Sequence, residues 1–173
     1  MFNITEGMAN AWKKRAAPLA TPNDIALIEN NIGTRLPGDY VAFVTQYGFV
    51  EFGRDAERRF LFSYVIEQDG QRITRQRQVQ FMFAPDKLIT RWRYMTTADD
   101  PGDETRPSIP SGFVPVAGDA GFGAVLLDIS HKPGQVWFWP EDNDRWGLGN
   151  NVALGFVADT FEDFINSLRP DPL

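Results

Sequence analysis

The side chains that could act as nucleophiles or bind soft metals are scarce in this sequence. It has no cysteine and one histidine, His131, in 173 residues. Without a thiol there can be no cysteine nucleophile, no disulfide scaffold and no zinc–thiolate site. A Ser-His-Asp triad would have to use His131, which lies in Ser130-His131-Lys132-Pro133-Gly134, a pattern typical of a hairpin turn. A histidine in such a turn is usually exposed, so we assign it no catalytic role.

The glycine-rich run at residues 118–123 could in principle bind a phosphate. A phosphate-binding loop lies between a strand and the N-terminus of a helix. Here the run is followed by Ala124-Val125-Leu126-Leu127-Asp128, which is the pattern of a buried strand. We therefore predict a tight turn between two strands at this point.

Carboxylates are the most abundant candidate ligands. Glu141, Asp142 and Asp144 follow directly after Trp137-Phe138-Trp139-Pro140. Alternating carboxylates can bind calcium or magnesium, and a carboxylate pair beside two indoles could serve a carbohydrate-active enzyme. The glycine and the later glutamate of a calcium loop are missing at their fixed spacing, which favours an acidic surface turn. We predict no metal and no cofactor.

Charge is distributed unevenly along the chain. Residues 1–98 contain 13 Lys and Arg against 10 Asp and Glu, a balance of +3, whereas residues 99–173 contain 4 against 13, a balance of −9. A net charge of −6 argues against a nucleic-acid partner, which would require a basic surface. An acidic surface favours encounter with a basic protein. The predicted contact residues are Asp99, Asp100, Asp103, Glu104, Glu141, Asp142 and Asp144.

The elements that carry these residues follow from hydrophobic periodicity and helix-capping signals. Helices are predicted at residues 5–17, 22–32 and 36–47, from Pro85 to Met95, and after Asp159 or Thr160. Strands are predicted at residues 60–66, 71–78, 113–117, 124–129, 135–139 and 152–157. This order indicates an α+β fold with a central antiparallel sheet, helices at both ends of the chain and one inserted helix.

The length of the chain suits a single domain, residues 1–173. Within it we distinguish an N-terminal extension at residues 1–20 and an elaboration at residues 54–111 that contains a hairpin, a helix and an acidic loop. No stretch approaches the roughly 18 apolar residues of a membrane span, and the start lacks the basic and apolar regions of a signal peptide. We expect no membrane partner and a cytoplasmic location. The oligomeric state is left open.

A set of short motifs extends over most of residues 24–168. It comprises Leu36-Pro37-Gly38-Asp39-Tyr40, the glycine-rich turn and a final Phe161-Glu162-Asp163-Phe164. In this combination and order, the chain resembles the SUKH superfamily, which includes the fungal cell-wall synthesis regulator. The resemblance implies an α+β domain in which the motif residues are structural: Leu36, Pro37, Tyr40, Phe43, Gly48, Asp119, Gly121, Gly123, Gly134 and Phe161.

The resemblance also implies a binding function. Most bacterial members look like immunity proteins that are encoded beside polymorphic toxins, bind the toxin domain, commonly a nuclease, and block it without catalysis. Two departures concern the partner: residues 54–111 are longer than in a minimal member, and Trp139-Pro140-Glu141-Asp142 replaces a segment that is often basic or contains histidine. The alternatives are a regulatory scaffold of the cell-wall-regulator type and, ranked last, a carbohydrate-active enzyme.

Charge reversal of the acidic residues tests the predicted contact surface. Changing Asp99, Asp100, Asp103 and Glu104 to Lys, and in a second variant Glu141, Asp142 and Asp144, should weaken binding to a basic partner because attraction becomes repulsion. The affinity of these variants should also depend less on salt than that of the wild type, as measured by titration calorimetry at low and high ionic strength. An affinity that stays the same would rule out these residues as the contact surface.

Overall fold

The helices begin and end largely where the capping signals place them. In the computed structural model, which describes residues 1–13, 18–53, 60–97, 108–119, 121, 123–140 and 155–170, the helices are α1 (Glu6–Lys13), α2 (Pro22–Ile32), α3 (Gly38–Tyr47), α4 (Pro85–Thr96) and α5 (Phe161–Ser167). The strands are β1 (Phe60–Gln68), β2 (Gln71–Val79), β3 (Phe81–Met82), β4 (Phe113–Gly118), β5 (Ala124–Asp128), β6 (Val136–Trp139), β7 (Gly155–Ala158) and β8 (Arg169–Pro170). The predicted α+β class is confirmed.

Helix α2 shows how local chemistry determines these boundaries. The Thr21 hydroxyl accepts a hydrogen bond from the Asp24 amide, and the Asp24 carboxylate accepts one from the Thr21 amide at 2.8 Å, which is a capping box. The backbone bond from Thr21, reinforced by its hydroxyl, lowers the pKa of Asp24. Gly33 ends the helix with a φ of 76°. The predicted start and end are confirmed.

The two terminal helices refine the predictions. Helix α1 ends at Lys13, and the rest of its predicted range lies outside the described residues. Its Trp12 is almost fully buried, with 2% exposed. At the other end, the N-cap of α5 is Thr160 and not Asp159. The Thr160 hydroxyl accepts a hydrogen bond from the Asp163 amide at 3.0 Å.

The eight strands of the described residues form one antiparallel sheet, in the order β2-β1-β7-β6-β5-β4-β3, with β8 also paired to β1. The predicted hairpin of β1 and β2 and the meander of β4, β5 and β6 are confirmed. The sequence predicted neither β3 nor β8. Each has two residues, which is too short for a periodic pattern, and each exists through pairing with a distant strand.

Strands β2 and β3 stand at opposite ends of the strand order although only Gln80 separates them in sequence. Val79 pairs with Phe60 of β1, whereas the Gln80 amide already donates to the Gly118 carbonyl of β4 at 2.9 Å. The sheet must therefore curl until its two edges meet at this segment.

The main core packs helices from both ends of the chain against one face of the sheet. Phe161 of α5 makes edge-to-face contacts with Tyr40 and Phe43 of α3, at centroid distances of 5.1 and 5.6 Å. Phe164 contacts Phe62 of β1 in the same way at 5.7 Å. Side chains alternate between the two faces of a strand, so a second, smaller cluster forms on the opposite face. None of the helices described is long and apolar enough to cross a membrane.

Asp39 adds a polar contact between the same two helices. Its carboxylate accepts a hydrogen bond from the Glu162 amide at 2.9 Å, in the first turn of α5 and 123 residues away in sequence. A carboxylate at this position satisfies an open helix amide and interacts favourably with the positive end of the helix dipole. Asp39 thus acts as a long-range cap for α5.

Substitution of Asp39 tests this contact. Asp39→Ala should lower the free energy of unfolding by about 1 kcal/mol, the usual cost of losing a helix cap. Asp39→Asn, which keeps an acceptor and loses only the charge, should cost less. Urea denaturation of the three proteins measures both values. Equal stability of wild type and Asp39→Ala would show that the contact contributes nothing.

Candidate protein-binding surface

The motif residues that the resemblance marked as structural lie in the core and in turns. Leu36, Tyr40, Phe43 and Phe161 are buried in the main core. Gly48 ends α3 with a φ of 84°. Gly134 has a φ of 102° and lies beside the half-buried Pro37. Asp119, Gly121 and Gly123 form the turn between β4 and β5.

Tyr40 is the motif residue with the most unusual environment. It is completely buried, and its hydroxyl makes no hydrogen bond in the part of the chain that the structure describes. This burial raises the pKa of Tyr40. The ring packs edge-to-face against Phe161 and the whole side chain is buried, so Tyr40 contributes through packing.

Asp119 holds the glycine-rich turn in place. One oxygen of this buried carboxylate accepts hydrogen bonds from the Gly121 amide at 2.8 Å and the Gly123 amide at 3.0 Å. The other lies 3.6 Å from Nε of Arg77 on β2. Any side chain at Gly123 would come within 2.8 Å of both Asp119 and the Phe138 ring. The predicted tight turn between strands is confirmed.

Asp128 has a similar role in the turn between β5 and β6. Its carboxylate accepts hydrogen bonds from the amides of Ser130, His131 and Lys132, at 2.8, 3.0 and 3.1 Å. The His131 side chain is exposed, and its Nδ1 lies 2.7 Å from the Ser130 hydroxyl. The sequence carried a signal for this role, because an aspartate before Ser, Lys, Pro and Gly is typical of an Asx turn.

These two buried carboxylates are therefore occupied by backbone amides. Over the ranges that the structure describes, no three side chains of His, Asp or Glu are grouped so that they could hold a metal ion. The indoles that could have stacked on a sugar are half-buried at the margin of the second cluster. Trp137 packs edge-to-face on Phe156 at 5.5 Å.

The acidic residues predicted to contact a partner lie outside the described residues: Asp99, Asp100, Asp103, Glu104, Glu141, Asp142 and Asp144. The described residues that flank them lie near one another. The amides of Ser108 and Ile109 both donate to the Met95 carbonyl, at 2.7 and 3.1 Å. Met95 and Ile109 belong to the second cluster, against which Trp139 also packs, one residue before Pro140. The described residues on the flanks of both segments thus lie at the same apolar cluster.

Sequence reasoning missed an open groove of about 470 Å³ along α4. It is lined by Phe83, Asp86, Lys87, Thr90, Arg91 and Tyr94. The Arg91 guanidinium lies 5.8 Å from the centroid of the Phe83 ring, a cation–π contact. Tyr94 is 52% exposed although it is a large aromatic residue. The available signal was weak: Asp86, Thr90 and Tyr94 share one helix face at a spacing of four residues.

This groove has the chemistry of a protein-binding surface. Tyrosine and arginine are the residues that most often contribute large binding energies at protein interfaces, together with tryptophan. Tyr94 also lies three residues before Thr97, the described residue that precedes the acidic segment at residues 99–104. An aromatic groove and a negatively charged segment are consequently adjacent along the chain.

Two comparisons with known proteins place this geometry in context. Residues 19–167 match the SMI1 / KNR4 family (SUKH-1). The chain is also 24% identical, over 166 residues, to the SPbeta prophage-derived uncharacterized protein YokK of Bacillus subtilis (strain 168). That alignment covers 92% of this chain and 80% of the relative. The residues matched to the family include the helices α3 and α5, which carry motif residues, the turns stabilised by Asp119 and Asp128, and the groove on α4.

The structural role of Asp128 gives a stability prediction. Asp128→Ala leaves three turn amides without their acceptor and should lower the free energy of unfolding by about 2–3 kcal/mol. Asp159→Ala is the matched control, because this exposed carboxylate accepts a hydrogen bond from the Gln135 side chain at 3.1 Å and should cost less than about 1 kcal/mol. Chemical denaturation measures both. Equal losses would contradict the assignment.

Proposed function

Because the chain belongs to the SMI1 / KNR4 family (SUKH-1), as its motifs predicted, we propose that it is an immunity protein that binds a cognate toxin and blocks it. Family membership supports a binding or regulatory role and not a catalytic one. The two buried carboxylates agree with such a role, since Asp119 and Asp128 are occupied in stabilising turns.

The observation that carries this proposal is the groove on α4. Its lining includes Phe83, Arg91 and Tyr94, and the Arg91 guanidinium lies over the Phe83 ring at 5.8 Å from its centroid. Aromatic and arginine side chains at the centre of an interface can each contribute more than about 2 kcal/mol when a partner removes them from water. We assign the groove to the toxin, with Tyr94 as its principal anchor.

The charge of the chain supports a basic partner. The −9 balance of residues 99–173 supplies a negative field, whereas the groove itself contains Asp86 together with Lys87 and Arg91 and has no excess of negative charge. Complementary fields increase the association rate, whereas the apolar and hydrogen-bonding contacts of the groove determine how long the complex persists. In this proposal the acidic segments guide the toxin and the groove holds it.

Genomic neighbourhood and co-expression test the function. A gene for a large secreted toxin should lie directly upstream, and expression of this chain should restore growth to cells that produce the toxin domain. Rescue without a physical complex, or failure of the toxin domain to bind this chain, would overturn the proposal. Capture of a host regulatory protein in place of a toxin would favour the regulatory scaffold.

Alanine substitutions test the groove itself. Tyr94→Ala and Arg91→Ala should each weaken toxin binding by about 10- to 100-fold, mainly through faster dissociation. Arg93→Ala is the matched control, because Arg93 lies on the same helix but donates to the Asn31 side chain on α2, outside the groove. Surface plasmon resonance gives both rates. If all three variants bind like the wild type, the groove is not the interface.

A further inference from the structure

Strand β2 forms one edge of the sheet and is exposed on both faces. Among residues 71–77, six side chains are exposed and Ile73 is half-buried. In the part of the chain that the structure describes, β1 is the one strand paired with it. An edge strand of nine residues offers a row of backbone groups to which another strand can be added.

The register of the hairpin identifies which backbone groups face outward. Asp69 and Gly70 have φ values of 52° and 74°, as a two-residue type I′ turn requires, and Gln68 pairs with Gln71. In such a hairpin the flanking pair is hydrogen-bonded, and the pattern then alternates along the ladder. Residues 73, 75 and 77 therefore direct their amides and carbonyls toward β1, whereas Arg72, Thr74 and Gln76 direct theirs toward the outer edge.

The side chains of this edge are basic. Arg75 and Arg77 pair with Tyr64 and Phe62 of β1, so they lie on the same face of the sheet as those two rings. Arg72 lies on the opposite face. Arg77 is 52% exposed in spite of its contact with Asp119. β2 carries three arginines and no acidic residue, so pairing with a second copy would bring six like charges to one edge. In the antiparallel registers centred on Arg75 and on Gln76, arginines would also lie directly opposite each other.

We propose that β2 binds an extended acidic segment of a second protein as an added strand, with carboxylates at alternate positions facing Arg75 and Arg77. Backbone hydrogen bonds to Arg72, Thr74 and Gln76 would supply affinity, and the arginines would select for charge. This site lies on a different element from the groove on α4 and takes a partner segment of opposite charge, so it does not depend on the proposed function.

A model peptide tests the proposal directly. The probe is a fluorescein-labelled peptide of nine residues with alternating glutamate and valine, and the control peptide has lysine in place of glutamate. Fluorescence anisotropy should show saturable binding of the glutamate peptide to the whole protein and none of the lysine peptide. No binding of the glutamate peptide at millimolar concentration, or equal binding of both, would overturn the proposal.

Hydrogen exchange separates strand addition from simple charge attraction. On peptide binding, amide exchange measured by NMR should slow at Arg72, Thr74 and Gln76. Exchange at Ile73 and Arg75, whose amides already face β1, should change little. If the peptide binds but the three outward amides exchange as before, no strand is added, and the arginines serve only to discourage self-pairing.

Two variants complete the test. Arg75→Glu should weaken binding of the glutamate peptide at least tenfold, whereas Arg35→Glu, the same charge change at an exposed site between α2 and α3, should not. Thr74→Pro removes an outward amide and leaves the bonds to β1 in place, so it should abolish binding while circular dichroism and thermal unfolding show a folded protein. Equal losses in Arg75→Glu and Arg35→Glu, or full binding by a folded Thr74→Pro, would contradict the proposal.

Discussion

The structure depends on one chain segment that lies at both edges of the same sheet. Val79 pairs with Phe60 at one edge, and Phe81, two residues later, pairs with Gly118 at the other. Strand spacing is about 4.8 Å, so a flat sheet of seven strands could not bring its edges within reach of two residues. The intervening strands therefore curl, and the inner ends of the two edges are joined covalently. This constraint gives the aromatic side chains of β1 and β6 a common face for α3 and α5 to cover.

The same segment positions both surfaces to which we assign binding. Before Gln80 the chain is a hairpin strand, and residues 71–77 have exposed polar side chains on each face. After β3 it passes through Phe83 directly into α4, whose outer side forms the groove. The two surfaces differ in chemistry. One presents backbone groups between arginines, and the other presents aromatic and mixed polar side chains near an acidic segment. Among the described residues, the buried carboxylates Asp119 and Asp128 stabilise turns and belong to neither surface.

The limits of sequence reasoning follow from the range of the interactions concerned. Thr21, Pro22 and Gly33 act within one helix, so α2 could be predicted from neighbours in the sequence. Strands β3 and β8 could not, because two residues have no period and are strands only beside a partner. Asp39 was part of a motif, but its hydrogen bond to the Glu162 amide spans 123 residues, so no local sequence pattern could predict it. The groove was missed for a different reason. Its lining lies within residues 83–94, but Phe83 precedes α4, and helical spacing does not show that its ring lies 5.8 Å from the Arg91 guanidinium.

The sequence by itself determined the α+β class, the family, the order of the main elements and the concentration of acidic residues after residue 98. These properties depend on local periodicity, helix capping and composition, all of which can be read from neighbouring residues in the sequence. Only the tertiary structure decided how the sheet curls, which strand forms its edge, and which of the turn and groove side chains are buried or exposed. The curl and the edge depend on pairing between strands far apart in sequence. The two carboxylate-stabilised turns and the groove are local in sequence, but the burial of their side chains is set by packing of the whole core.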